Sequence, residues 1–290
     1  MSLLTAAALV CALTTVFVLR HTVRYRRGWM REATARTREQ EAHARELAAL
    51  APVPSPLVIP SVTFEEFEPR FARNELGPTL ASEVRLVGVG DGATGATSDT
   101  EAIVLAVCAK DAHRLFEFGT STGRTTYLWA RNSPPDAHVT TLTLAPDQVE
   151  AYQIAEGDSE GALRYAAQES AFTCFLYSGT DVESKITQLY GDSKAFDEGP
   201  YAGSCDLIFV DGSHAYSYVQ SDTEKALRML RPGGVILWHD YRDPSFEAAT
   251  IGVVEYLHRL SHSLPLVRLG STSLVAYRAP ADAADPAEEG

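Results

Sequence analysis

Asp211 and His214 stand three residues apart in "FVDGSHAY" (Phe209–Tyr216), at the end of the apolar run that opens at Asp206. A carboxylate can hold a hard cation, and an imidazole can take a proton near neutral pH. A short apolar run bounded by turn residues predicts a buried strand, so both groups would stand at a strand end. A similar pair, His239-Asp240, closes the apolar run that begins at Val235. Plainer roles compete. Asp211 before Gly212 could be a turn former, His214 could only start a helix behind an N-cap at Ser213, and His239 could be a hydrogen-bonded core histidine.

"LFEFGTSTGRTT" (Leu115–Thr126) supplies a second constellation. An apolar strand ends near Glu117, Gly119 and Gly123 bracket a turn, and a helix follows. Glycines let the backbone approach a ligand closely, and a helix N-terminus favours a carboxylate or phosphate. Glu117 could meet a ligand's amino group. The spacing is E-x-G-x-x-x-G, without the third glycine of a dinucleotide fingerprint and without the G-K-[ST] of a P-loop, which disfavours a nicotinamide enzyme. About 20 residues on, an acid often meets a ribose; here Thr143 holds that place, a weaker hydrogen-bonding group.

These residues need strands and helices in alternation to position them. The pattern predicts strands at 114–118, 138–144, 185–190, 206–211, 235–239, 266–269 and 273–277, and helices at 100–110, 124–131, 216–230 and 246–261. The helix from Tyr216 places Val219, Thr223, Ala226, Leu227 and Leu230 on one face, and Pro232-Gly233-Gly234 stops it. Such alternation means α/β, a doubly wound, mostly parallel sheet with helices on both faces. The last two strands are separated by too few residues for a crossover, so they form a C-terminal antiparallel hairpin, making a seven-stranded sheet.

Around this core the 290-residue chain has a formal charge of -13, which argues against nucleic-acid binding. Ser2–Leu19 carries no charge and Arg20, Arg24, Arg26 and Arg27 follow, so residues 1–20 read as a transmembrane signal-anchor with the bulk of the chain on the cytoplasmic side. Residues 21–60 read as a basic helical stalk, open to homo-oligomer formation, and a Pro-rich linker. The folded domain spans 61–279, and 280–290 is an acidic disordered tail. Cys11, Cys108, Cys174 and Cys205 show no paired spacing and read as ordinary buried thiols.

"FEFGTSTGRTT", "QLYGDS", "DLIFVDGSHAY" and "LRPGGVILWHDY" fall in order between Glu101 and Arg278. Together they resemble a class I S-adenosylmethionine-dependent methyltransferase, of the O-methyltransferase group that includes catechol-type and macrocin-type enzymes. The resemblance implies a Rossmann-like methyltransferase fold ending in that hairpin. It implies S-adenosylmethionine contacts at Glu117, Gly119, Thr120, Ser121 and Gly123, at Thr143 in place of the usual acid, and at Asp192 and Ser193 beside the adenine. It implies Mg²⁺ ligands at Asp211, Asp240 and His239, and a catalytic base at His214 working with Asp211. The acceptor would be a small molecule or sugar with a hydroxyl. The departures at Thr143 and His239 leave a second reading open, a catalytically degenerate, membrane-tethered cofactor-binding or scaffold protein of the same fold.

Overall fold

In the computed structural model, residues 57–89, 97–156, 158, 161–243 and 248–281 are described. The anchor at 1–20, the stalk, the linker up to residue 56 and the tail from residue 282 lie outside them. Among the described residues, no helix is long and apolar enough to cross a membrane.

Eight strands make the main sheet: β1 (Ser61–Val62), β2 (Arg114–Phe118), β3 (His138–Thr143), β4 (Ile186–Tyr190), β5 (Cys205–Val210), β6 (Leu230–Trp238), β7 (Val267–Leu269) and β8 (Val275–Arg278). Their spatial order is β1-β7-β8-β6-β5-β2-β3-β4. β8 runs antiparallel to both β6 and β7, and the other pairings are parallel. The predicted hairpin is therefore present. The predicted count of seven falls one short, because β1 has two residues and no periodicity to read; it is held by Arg268 N donating to Pro60 O at 2.8 Å and Gly270 N donating to Val62 O at 2.8 Å.

Among the described residues, besides the single turn Phe64–Phe67, five helices flank the sheet: α1 (Asp99–Cys108), α2 (Arg124–Asn132), α3 (Gly161–Glu169), α4 (Tyr216–Met229) and α5 (Ile251–Leu260). The period-two alternation of the strands sorts their side chains onto two faces. Phe116, Phe118, Ile208, Val210, Ile236 and Trp238 join one core with Val219 and Ala226 of α4 and Leu257 of α5. Leu115, Leu207, Phe209, Val235 and Leu237 join the other with Leu105 of α1 and Trp129 of α2. Each Leu, Ile, Val or Phe side chain among them stabilises the fold by about 1.5–3 kcal/mol when fully buried. Trp238 is completely buried and its indole donates to Thr223 Oγ1 at 2.8 Å.

α3 lies in the stretch between β3 and β4 where no element is predicted; only two of its residues, Ala162 and Ala166, are fully buried, too small a stripe to show as periodicity. The helix before β6 begins at Ala215 as N-cap, without a side-chain cap bond, so Ser213 is not the cap. Its hydroxyl instead accepts from Ala215 N at 3.1 Å and pairs with Tyr152 Oη at 2.6 Å. The cysteines also differ in part from expectation: Cys205 is buried and Cys108 half-buried, but Cys174 is exposed.

Candidate functional site

The parallel strands β2 to β6 all end on one rim, and the residues singled out in the sequence follow those ends. The ordering of β2, β5 and β6 as neighbours places the glycine loop, Asp211 and His239-Asp240 side by side.

Glu117 sits on β2 facing α2 and is buried, 1% exposed. Thr141 Oγ1 donates to its Oε2 at 2.7 Å, and Thr126 Oγ1 of α2 makes a short bond to the same oxygen. Gln188 Nε2 donates to Thr120 Oγ1 at 3.1 Å, and Thr120 Oγ1 lies 2.7 Å from Thr141 Oγ1. This chain of hydroxyls fixes the carboxyl group through one oxygen and leaves Oε1 for a ligand. Burial pushes its pKa up to about 8, against the hydrogen bonds from Thr126 and Thr141.

The glycines have a geometric cause. Gly119 has φ +98°, and a Cβ there would lie 2.0 Å from Asp211 O; Gly123 has φ +76° and would meet Phe175 Cβ at 2.8 Å. The loop after β2 thus runs against the loop after β5 with no room for a side chain. Ser121, between the glycines, also adopts a positive φ, 44°.

Two cavities open from this loop. One is lined by Gly119, Ser121, Thr143, Asp192, Ser193 and Asp211, among others. The second, also bounded by Gly119 and Asp211, is lined by Glu117, Thr120, Ser121, Arg124 and Tyr165. Every cofactor-contact residue expected from the sequence except Gly123 lines one of them, and Gly123 caps α2 beside them. Asp192 Oδ2 is buried without a hydrogen-bond partner, a polar atom a ligand amine could satisfy.

Beside the cavities lies a cluster of acids and histidines. His239 is 4% exposed. Its Nδ1 is 3.0 Å from Asp211 Oδ1 and 3.2 Å from Asp240 Oδ2, while its Nε2 faces Glu101 Oε2 at 3.4 Å. His214 Nε2 is 2.8 Å from Asp240 Oδ2, and its Nδ1 is buried without a partner. Asp240 adopts φ 60°, unusual for a non-glycine residue, which turns its carboxylate back onto both rings. One oxygen each from Asp211 and Asp240 and one nitrogen of His239 lie within 4.8 Å of one another. Two carboxylates and an imidazole at that spacing fit a divalent cation. His239 is at once a hydrogen-bonded core residue and a candidate ligand.

The electrostatics follow from this crowding. Burial disfavours charge on His239, but Asp240 and Asp211 outweigh it and hold its pKa well above the ordinary value. Burial likewise opposes charge on His214, but the hydrogen bond and charge of Asp240 bring it up to about 9. Burial raises Asp211, whereas the two histidines hold Asp240 well below the usual carboxylate range despite its burial. Without a bound cation, His214 carries a proton at neutral pH, so acting as a base first requires that proton to leave.

Three functional candidates escape the sequence. Glu101 on α1 also accepts from Ser98 N at 2.7 Å, Ser273 N at 2.9 Å and Ser273 Oγ at 2.7 Å. It fixes His239 so that Nδ1 faces the two aspartates, the outer-shell arrangement common behind metal-bound histidines. Glu169 on α3 lines both cavities, and burial pushes it up to about 7. Asp222 on α4 lines the first cavity with Oδ1 unpartnered, and burial pushes it up to about 7. Only the capping-box spacing of Ser98 and Glu101 left any signal, and that signal points to a helix start.

Residues 116–241 match the family model described as a methyltransferase domain. The match spans the glycine loop and the acid–histidine cluster, and it coincides with the class I resemblance read from the sequence. Among curated proteins, none matches the chain. Similar solved structures include the O-methyltransferase TomG from Streptomyces achromogenes in complex with SAM, at 19% identity and TM-score 0.41, covering 63% of this chain and 82% of that one. An O-methyltransferase from Bacillus cereus in complex with SAH is 18% identical with TM-score 0.42, covering 64% of this chain and 84% of that one. A putative caffeoyl-CoA O-methyltransferase from Staphylococcus aureus is 20% identical with TM-score 0.40, covering 67% and 85%.

Proposed function

We propose that this chain, whose residues 116–241 form a methyltransferase domain, transfers a methyl group from S-adenosylmethionine to a hydroxyl oxygen of a small molecule or sugar. The observation that carries the reading is adjacency. Glu117 stands in a cavity that shares Asp211 with the acid–histidine cluster, so a donor on one side and an acceptor hydroxyl on the other can meet at Asp211.

Glu117 pairs with the amino group of the methionine moiety, and the glycine loop permits close backbone approach. Thr143 takes the ribose side, and Asp192 and Ser193 the adenine side. A divalent cation such as Mg²⁺ among Asp211, Asp240 and His239 would acidify the acceptor hydroxyl and offset the acidic charge that keeps His214 protonated. Asp240 holds His214 through Nε2, which leaves Nδ1 as the atom to receive the hydroxyl proton. Glu101 keeps the His239 ring oriented. The uncharged run Ser2–Leu19 and the arginines behind it support a membrane-anchored protein with its catalytic part in the cytoplasm; fractionation of cells expressing the full chain tests this.

The decisive experiment is calorimetric titration of S-adenosylmethionine into the full chain, followed by an acceptor screen with and without Mg²⁺. Micromolar binding, about -8 kcal/mol, supports the reading. No binding by folded protein would leave the scaffold alternative in its place.

A further inference from the structure

The rim carries a third cavity, on the opposite side of the acid–histidine cluster from the glycine loop. Along the sheet the order is β2 with the glycine loop, β5 with Asp211, β6 with His239 and Asp240, then β8 and β7. The third cavity opens over these last strands. It measures about 540 Å³, and its wall includes Ser98, Thr100, Arg242, Arg268 and Ser271. Glu101 and Tyr241 also line it, so it abuts the cluster directly.

Its chemistry differs from the rest of the molecule. The chain carries a formal charge of -13, yet two arginines, Arg242 and Arg268, line this one cavity. Arg268 lies on β7 opposite Ser61 and Val275. Its backbone N–H is used by Pro60 O, but its side-chain Nε is buried with no hydrogen-bond partner. A buried guanidinium nitrogen left unsatisfied is costly, and an oxyanion is the ligand that fits its planar fork. Arg242 Nε lies 3.4 Å from Asp240 Oδ1, which ties the cavity to the reacting end of the site. Ser98 Oγ accepts from Glu101 N and so keeps its own proton to donate. Among the described residues of the wall the one acid is Glu101, which is 3% exposed and already bonded to Ser98, Ser273 and His239, so its charge is directed inward.

We propose that this cavity binds an acidic oxyanion of the acceptor, a phosphate or carboxylate, between Arg242 and Arg268, and so selects acidic acceptors over neutral ones. This rests on the methyltransferase reading. The anion would sit over β7 and β8, with the acceptor hydroxyl directed back toward Asp240 and His214.

The test is calorimetric titration of the full chain with inorganic phosphate, pyrophosphate and malonate at matched ionic strength, on the natural protein, Arg268→Gln and Arg268→Lys. S-adenosylmethionine is titrated into the same samples. The natural protein should bind at least one oxyanion, and the three probes distinguish phosphate from carboxylate. Arg268→Gln should weaken that binding about tenfold or more, the worth of one charge-assisted hydrogen bond, with S-adenosylmethionine affinity unchanged. Arg268→Lys, which keeps the charge without the fork, should fall between, and it decides the matter if Arg268→Gln also loses S-adenosylmethionine. Failure of all three probes to bind a sample that binds S-adenosylmethionine, or equal binding by both variants, overturns the proposal. Oxyanion binding without S-adenosylmethionine binding would overturn the methyltransferase reading and leave the anion site standing.

Discussion

Glu117 shows how one buried residue can make ligand binding depend on pH. With its pKa pushed up to about 8, it is neutral at pH 7 in the ligand-free protein. An ammonium group on Oε1 favours the ionised form and lowers that pKa, so binding releases a proton. S-adenosylmethionine affinity should therefore rise from pH 6 to 8, by at most about tenfold per pH unit, and level off above. Glu117→Gln should bind weakly with no such slope. Titrations at four pH values check this, and a slope that survives in Glu117→Gln would assign the proton to another group. Across the site, Asp211→Asn and His214→Gln should lower methyl transfer about 10²–10⁴-fold while leaving S-adenosylmethionine affinity nearly unchanged. Equal loss of cofactor binding would place these residues in the cofactor site instead. The acids and His214 were legible in the sequence because each follows a short apolar run. Glu101, Glu169 and Asp222 were not, since each sits in a helix whose pattern does not reveal which cavity it meets.

At the scale of elements, the site depends on loops crossing at contact distance. Gly119 is the clearest case, with its positive φ and a virtual Cβ 2.0 Å from Asp211 O. Gly119→Ala should destabilise the protein by about 3 kcal/mol or more, because both the backbone conformation and the space exclude a side chain. Its melting temperature should fall and S-adenosylmethionine binding should be lost, measured by calorimetry on the purified variant. A variant of natural stability would mean the two loops can separate freely. The glycines, the strand ends and the final hairpin could be read in the sequence from spacing alone. The two-residue β1 and α3 could not, because their partners, β7 and the cavity walls, are distant in the chain.

For the whole molecule, several buried groups bind protons more tightly folded than unfolded. Glu117, Glu169 and Asp222 are raised to about 8, 7 and 7, and His214 to about 9. Each contributes stability that is present below its unfolded pKa and lost as pH rises through the folded value. Glu101 and Asp240 are shifted downward, so their contribution is lost only as the solution becomes strongly acidic. The ligand-free protein should therefore melt at a higher temperature near pH 6 than near pH 9. Scanning calorimetry at the two pH values checks the sign, and saturating S-adenosylmethionine should raise the melting temperature at both.

The sequence by itself determined the α/β class, the order of the parallel strands' terminal motifs, the antiparallel close and the residues most suited to chemistry. These follow from periodicity, turn residues and spacing, which are local properties of the chain. Only the tertiary structure decided that His239 lies between Asp211, Asp240 and Glu101, that His214 is held by Asp240, and that Arg242 and Arg268 share a cavity. Those facts depend on which strands become neighbours, and Glu101 and His239 are 138 residues apart in the chain. Long-range pairing joins them on one rim, and the charged neighbours it brings together outweigh burial in setting their charges.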